Sequence, residues 1–184
     1  QPPATAIARA GDWVPRGAVH LSINASTPLK EWPLARWIEL GKQLLRENNS
    51  LALIASGNGR EREQARLREW ATALDDARVR LLPSEATIAE LAAALQRCRL
   101  HIGNDSGVLH LAAALGVPTF SIFRDYEGLK EWLPFGEKQR HARGVCACAN
   151  QKNPPCRVSG EAACLASISA ETVAREVRVQ VGSI

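Results

Sequence analysis

The stretch LHIGNDSGVLHLAAALGVPTFSIF, residues 100–123, has the pattern of a strand, a loop, a helix and a second strand. Residues 100–102 are predicted as a short strand, and residues 109–115 as an apolar helix that ends before Gly116, the usual residue after a helix C-terminus. Residues 117–123 are predicted as the next strand. Strands joined by a helix in this way pair in parallel with a right-handed crossover, so the stretch predicts a parallel α/β sheet.

The same alternation of strand and helix precedes this stretch. Three short apolar segments are also predicted as strands, at residues 18–23, 51–55 and 79–82. Helices are predicted between them, and Thr87 with Glu90 has the pattern of a capping box that starts a helix with Ile88 turned inward. The predicted fold is a Rossmann-like α/β domain over residues 18–184, with a parallel sheet and helices on both faces.

The segments at either side of the alternation have a different composition. Residues 1–17 contain three prolines and two glycines and are predicted to be a linker. Residues 124–164 are predicted to be rich in loops, and the part from 146 to 164 holds four of the five cysteines. The start at Gln1, without a Met, suggests a fragment or a processed chain.

The composition is ordinary for a globular chain and disfavours several classes of function. The chain is 46% hydrophobic, and 23 Lys and Arg against 19 Asp and Glu give a net charge of +4. Aromatic residues make up only 5%, and no basic stripe alternates with them, so nucleic-acid binding is not expected. No apolar run approaches the ~18 residues of a membrane-spanning helix, and no signal peptide opens the chain. The mild positive charge suits a phosphorylated small molecule and an anionic membrane surface equally.

The most informative candidate site lies between the predicted strand at 100–102 and the helix that follows it. In open parallel sheets, ligands bind beyond the carboxyl ends of the strands. Ser106 and Gly107 stand where a helix begins, and their backbone amides are expected to hold a phosphate. Asp105 is expected to accept hydrogen bonds from sugar hydroxyls, and His110, one turn later, to face the same ligand.

Two other loops are expected to meet this one at the same edge of the sheet. Ser26 and Lys30 follow the first strand, and Glu61 follows the second. Phosphate binders together with carboxylates for hydroxyls predict a nucleotide-sugar site. Taken singly, the residues have structural alternatives: Asp105 as a helix N-cap, Lys30 as a solvated surface charge, Glu61 as a first-turn acid and His110 as a core histidine.

Two of these segments resemble a known family. Ser26 followed by KEWPLARW, residues 30–37, resembles the K-x-W-P-x-x-x-W segment of family 9 glycosyltransferases, the heptosyltransferases of lipopolysaccharide synthesis. GNDSG at 103–107, followed by HLAAALGVP at 110–118, is similar to the most characteristic run of that family. The resemblance extends from about Val19 onward.

The resemblance implies a fold and a reaction. Family members have a GT-B fold of two Rossmann-like domains, and this chain resembles the C-terminal one, which binds the donor. The implied donor is ADP-L-glycero-β-D-manno-heptose, and the implied acceptor is the lipopolysaccharide inner core, with inversion at the anomeric carbon. The catalytic base of the family is an Asp in the N-terminal acceptor-binding domain, so no catalytic residue is assigned here. No cofactor is required. The implied location is the cytoplasm, at the inner membrane.

Motif matching carries the donor contacts of the family onto residues of this chain. The resemblance assigns Ser26 and Lys30 to the diphosphate or the adjoining sugar, Glu61 to the ribose, Asp105 to the heptose hydroxyls, and Ser106 with Gly107 to the phosphate. The chain departs from the family after Phe123. Arg124-Asp125-Tyr126 stands where the family usually has a Gly followed by a short turn that contains Pro and Asp. Because that turn helps form the donor pocket, the identity of the sugar is in question.

The cysteine cluster leaves several interpretations open. Cys146, Cys148, Cys156 and Cys164 lie within nineteen residues. Reduced thiols are expected, with a structural zinc site and one or two disulfides as alternatives. Three rival functions also remain at this point. They are a non-catalytic nucleotide-binding module, a zinc-stabilised interaction module, and a family 9 transferase that uses another nucleotide-sugar.

Overall fold

The fold is built on one parallel sheet. A computed structural model describes residues 1–125, 129–145, 151 and 155–181. In this part of the chain the strands are β1 Ala18–Ser22, β2 Leu53–Ala55, β3 Val79–Leu81, β4 Cys98–Asn104, β5 Thr119–Asp125 and β6 Gln139–Val145. All pair in parallel, in the order β3-β2-β1-β4-β5-β6. The predicted parallel α/β sheet is confirmed.

The order of the strands fixes where a ligand can bind. From β1 the chain moves outward to β3, and it then returns to β4 and moves outward in the other direction to β6. β1 and β4 are therefore neighbours although β2 and β3 lie between them in sequence. The chain therefore changes direction between these two strands, and in doubly wound sheets ligands usually bind at such a point, beyond the carboxyl ends of the strands.

Helices cover both faces of the sheet, as predicted. They are α1 Ala4–Trp13, α2 Leu34–Glu47, α3 Glu61–Leu74, α4 Ile88–Leu95, α5 Gly107–Ala114, α6 Pro155–Ser159, α7 Ala163–Ala166 and α8 Ala170–Val181, with short 3-10 helices at Pro28–Lys30 and Leu129–Trp132. Of the helices in the described residues, none is long and apolar enough to cross a membrane.

The alternation of side chains along β1 divides the core between the two faces. Val19 and Leu21 point to one face, where they pack with Trp37 of α2, Trp70 of α3 and residues of α8. Ala18, at the other face, belongs to a smaller cluster with alanines of α1 and α4. Large apolar side chains therefore hold α2, α3 and α8, whereas small ones let α1 and α4 approach closely.

The prediction that residues 1–17 are a linker is wrong. The segment contains α1, which packs against α4 with Ala6 and Ala10 buried. Arg9 of this helix donates to Glu90 of α4 at 2.7 Å. The alanines four residues apart form a narrow apolar stripe, and the prolines lie outside the helix, where they do not interrupt its hydrogen bonds.

Two other details differ from the sequence predictions. β6 is a strand in the segment that was predicted to be loop-rich, and its mostly polar sequence reflects an exposed strand rather than a buried one. α4 begins with the predicted capping box of Thr87 and Glu90. Ile88, however, is 78% exposed rather than turned inward, because the inner face of α4 is made by its alanines and Leu95.

Candidate functional site

The candidate site lies where the loops after β1 and β4 meet. Ser22 and Gly103 are register partners near the carboxyl ends of these strands. The fully buried Asn104 connects the two loops: its Oδ1 accepts from the Trp32 backbone N–H at 2.9 Å, and its Nδ2 donates to the Ile23 carbonyl at 3.0 Å. One amide therefore fixes the path of the loop that carries Lys30.

Lys30 and Asp105 form an ion pair across this junction. The Lys30 Nζ lies 2.6 Å from the Asp105 Oδ2, with 40% of the lysine side chain and 10% of the aspartate side chain exposed. The structure thus brings together two of the residues predicted from the sequence, 75 positions apart. A cation and a carboxylate held side by side at a sheet edge can receive a phosphate and a sugar hydroxyl of one ligand.

The N-terminus of α5 adjoins this ion pair. Ser106 is the N-cap residue, but its hydroxyl makes no capping bond within the described residues and instead lies 3.4 Å from the Ser22 hydroxyl. Gly107 is exposed, and nothing lies within 4 Å of the place that a Cβ would occupy. The side of Gly107 at the start of α5 is therefore open, so an anion can approach this helix N-terminus, where such ligands commonly bind. His110 lies one turn further along α5 and is half-buried.

The other predicted donor contacts are more exposed. Ser26 lies on the surface, just before the 3-10 helix that ends in Lys30. The Glu61 side chain is 86% exposed and pairs with Arg68 at 2.7 Å. The buried acid of this helix is Glu63, whose carboxylate accepts from the Asn58 backbone N–H at 3.1 Å. Sequence reasoning missed Glu63, although its position four residues before a buried Leu places it on the inner face of α3.

A buried carboxylate also supports the loop that carries Lys30. Glu31 accepts from the Ala25 backbone N–H at 3.0 Å and forms a two-point pair with Arg62, while Arg66 lies 3.7 Å away. The hydrogen bonds that Arg62 donates to Glu31 raise the pKa of Arg62, and burial lowers the pKa of Arg66. The spacing of the two arginines by one helical turn was a signal that the sequence analysis did not use.

Two histidines lie beneath the site, and sequence reasoning did not find them. His20 of β1 and His101 of β4 are register partners, and both are fully buried. Their Nδ1 atoms are 2.9 Å apart, and the His20 Nε2 is 3.0 Å from the Ser56 hydroxyl. Burial lowers the pKa of His20 to about 3 and that of His101 well below its ordinary value, so both rings are neutral at physiological pH.

The cysteines contribute no described metal site. No group of three His, Cys, Asp or Glu side chains that could hold a metal occurs in residues 1–125, 129–145, 151 and 155–181. Cys156 is buried and Cys164 half-buried, whereas Cys146 and Cys148 lie outside the described residues. The zinc and disulfide alternatives therefore stay open. Burial raises the pKa of Cys98 to about 12, which keeps it a thiol rather than a nucleophilic thiolate.

The sequence of the chain matches that of a known protein family. The family described as "Glycosyltransferase family 9 (heptosyltransferase)" matches residues 2–161. Lipopolysaccharide heptosyltransferase 1 of Pseudomonas aeruginosa is 40% identical over 94 residues, which are 51% of this chain and 25% of that protein. Lipopolysaccharide heptosyltransferase 2 of Escherichia coli K12 is 31% identical over 96 residues, or 52% of this chain and 27% of the relative.

A solved structure also has the same fold. The E. coli ADP-heptose lipopolysaccharide heptosyltransferase II superposes with a TM-score of 0.77 at 21% sequence identity. The match covers 98% of this chain and 52% of the solved chain. This chain therefore spans about half the length of that protein.

Proposed function

The chain belongs to glycosyltransferase family 9, and from this membership we propose that it binds the nucleotide-sugar donor of a heptosyltransferase. The observation that carries the proposal is the Lys30–Asp105 ion pair beside the open N-terminus of α5, at the junction of β1 and β4. The donor class is ADP-heptose, the sugar nucleotide for which the E. coli heptosyltransferase with the same fold is named.

The geometry supports a division of roles along the donor. The amides of Ser106 and Gly107 receive the diphosphate, and Lys30 adds a charged donor from the other side of the crevice. Asp105 accepts hydrogen bonds from the heptose. His110, one turn into α5, contacts the sugar or the phosphate. Ser26 and the exposed Glu61 are placed at the outer part of the site, where Glu61 receives the ribose hydroxyls.

The ion pair holds Lys30 in position for the ligand. Asp105 holds the Lys30 ammonium in place at 2.6 Å, so the flexible lysine has already lost much of its freedom before it meets the donor. When the donor binds, the Lys30 ammonium turns to the diphosphate. The Asp105 carboxylate then accepts hydrogen bonds from sugar hydroxyls in place of the one from Lys30. Neither the half-buried Lys30 nor the buried Asp105 is left unpaired by this exchange, which keeps the desolvation penalty of binding small.

The same groups act on the leaving group during an inverting displacement. A base deprotonates the acceptor hydroxyl, whose oxygen attacks the anomeric carbon while the bond to ADP breaks. Negative charge then grows on the diphosphate, and donors from Lys30 and α5 that are already in position stabilise it without reorganisation. In this proposal the base and the lipopolysaccharide acceptor site belong to an N-terminal domain, and the enzyme works in the cytoplasm at the inner membrane.

Calorimetric titration of the chain with ADP-heptose, ADP, UDP and GDP tests the proposal. Saturable binding that is selective for the adenine nucleotides, and about tenfold weaker in Lys30→Ala and in Asp105→Ala, is the expected result. Lys42→Ala, an exposed lysine of α2, is the matched control and should bind as the wild type does. Equal binding of UDP and GDP would indicate another nucleotide-sugar, and full affinity in Lys30→Ala would place the donor elsewhere.

A further inference from the structure

A row of buried polar groups crosses three neighbouring strands directly below the proposed donor site. Ser56 follows β2, His20 lies on β1 and His101 on β4, and they are joined by contacts of 3.0 Å and 2.9 Å. Both imidazoles are fully buried and stacked, with ring centroids 5.1 Å apart. The proposed function assigns no role to these three residues.

The chemistry of two neutral imidazoles gives the row a direction. Each neutral ring has one N–H and one lone pair, so of the two facing Nδ1 atoms one donates and the other accepts. If the Ser56 hydroxyl donates to the His20 Nε2, the His20 Nδ1 carries the proton and donates to His101. The His101 Nδ1 is then the acceptor, and its Nε2 carries an N–H.

The end of the row is an unpartnered donor that points towards the carboxyl edge of the sheet. The His101 Nε2 is buried and has no hydrogen-bond partner among the described residues. It lies 2.7 Å from the place that a Cβ on Gly103 would occupy, so the ring leans along β4 into the space that this glycine leaves empty. The Ser22 Cβ borders the same space, 3.2 Å from that point.

Ser22 connects this space to the N-terminus of α5. Its hydroxyl lies 3.4 Å from that of Ser106, a long contact for two hydroxyls. One rotation that the structure does not itself show completes the connection: the Ser22 hydroxyl turns about its Cα–Cβ bond to accept from the His101 Nε2–H, and donates to Ser106. Ser106 is then free to donate its own proton outward, in the direction that the first amides of α5 also face.

We propose that Ser56, His20, His101 and Ser22 form a directed chain of hydrogen bonds that orients the Ser106 hydroxyl as a donor to an anionic group bound at the N-terminus of α5. The inference rests on the proposed function for the identity of that group, the diphosphate of the donor. His20 and His101 are positioning residues, since they act through Ser22 and Ser106. Their neutrality preserves the direction of the chain, because a protonated ring has no lone pair to accept with.

The tautomers of the two histidines are the first test, and they require no ligand. In ¹⁵N-labelled protein, the two-bond ¹H–¹⁵N spectrum distinguishes a protonated ring nitrogen from one with a free lone pair. We expect His101 to be the Nε2–H tautomer and His20 the Nδ1–H tautomer. The reverse pair of tautomers would run the chain in the opposite direction and overturn the proposal.

The second test is the affinity for ADP and for inorganic pyrophosphate. We expect Ser22→Ala to weaken both about fivefold and Ser56→Ala about threefold, because each removes one neutral hydrogen bond. Ser56→Thr restores a hydroxyl and should restore the His101 tautomer and most of the affinity. Ser50→Ala, in the exposed turn at the opposite edge of the sheet, is the matched control.

The outcomes separate this proposal from the donor-binding function. Wild-type affinity in Ser22→Ala and Ser56→Ala, with ADP bound normally, overturns the hydrogen-bond chain and leaves the donor site standing. Failure of the wild type to bind either anion refutes both the donor function and the action of the chain on a ligand. An ADP-induced shift of the His101 Nε2 resonance that disappears in Ser22→Ala supports the chain through a signal that general destabilisation does not produce.

Discussion

Mild acid is expected to destabilise this fold through the buried histidines. In the folded chain, burial lowers the pKa of His20 from 6.5 to about 3, whereas in the unfolded chain the imidazole is solvated and titrates near its ordinary value. Between these values the unfolded state binds a proton that the folded state does not bind. Stability is therefore unaffected above the ordinary pKa and falls as the pH drops below it, until the folded pKa is reached.

The size of the effect follows from the two pKa values. The ordinary pKa of histidine, 6.5, lies about 1.5 pH units above pH 5. Over this span, protonation of His20 in the unfolded chain lowers the free energy of unfolding by about 2 kcal/mol. His101 adds a loss of the same sign, since burial and His20 lower its pKa as well. Hydrogen bonds lower the pKa values of Asp76 and Glu90 to about 2. These carboxylates therefore lose their stabilising effect mainly below pH 5, and the loss of stability above pH 5 comes largely from the histidines.

Urea denaturation at about pH 7.5 and about pH 5, followed by the fluorescence of the buried tryptophans, measures this loss. The double variant His20→Gln and His101→Gln has no buried imidazole to titrate, so its stability should change much less between the two conditions. His110→Gln, which removes a half-buried histidine from α5, is the control and should retain the wild-type dependence. The same acid sensitivity in the wild type and the double variant would refute the reasoning.

Three substitutions test other parts of the structure by urea denaturation. Gly103→Ala should destabilise the fold by about 1–3 kcal/mol, because the new methyl group meets a histidine nitrogen at 2.7 Å, whereas Gly11→Ala, with its nearest neighbour at 4.0 Å, should not destabilise it. Glu31→Gln should lower stability by about 1 kcal/mol and weaken ADP binding, since it removes the counter-charge of the half-buried Arg66 and the half-exposed Arg62, while the exposed Glu39→Gln should have little effect. Thr87→Ala should cost about 1 kcal/mol through loss of the capping box, and an unchanged midpoint would show that the cap contributes nothing.

The parts of the fold that local sequence determines could be predicted. The strands next to the site are short apolar runs, and the helix after β4 ends at a glycine, so the parallel sheet followed from local pattern. The helix at the N-terminus escaped prediction because its apolar stripe consists of small alanines between prolines. β6 escaped because an exposed strand lacks the apolar run that marked the others.

The candidate site shows the same division. Lys30 and Asp105 could be proposed as site residues because each belongs to a recognisable motif, and the structure places them side by side. The histidine pair could not be found in this way. His20 and His101 are 81 positions apart, neither lies in a loop, and only the register between β1 and β4 places one ring opposite the other.

The exposed strand β6 has a consequence for how copies of this chain behave at high concentration. It ends the sheet in the described part of the chain, and a strand in that position presents unpaired backbone groups to any other strand. Arg140, His141 and Arg143 are exposed along it. Two copies that approached through this edge would bring the arginines of one against those of the other, and the repulsion discourages growth of the sheet from one molecule into the next.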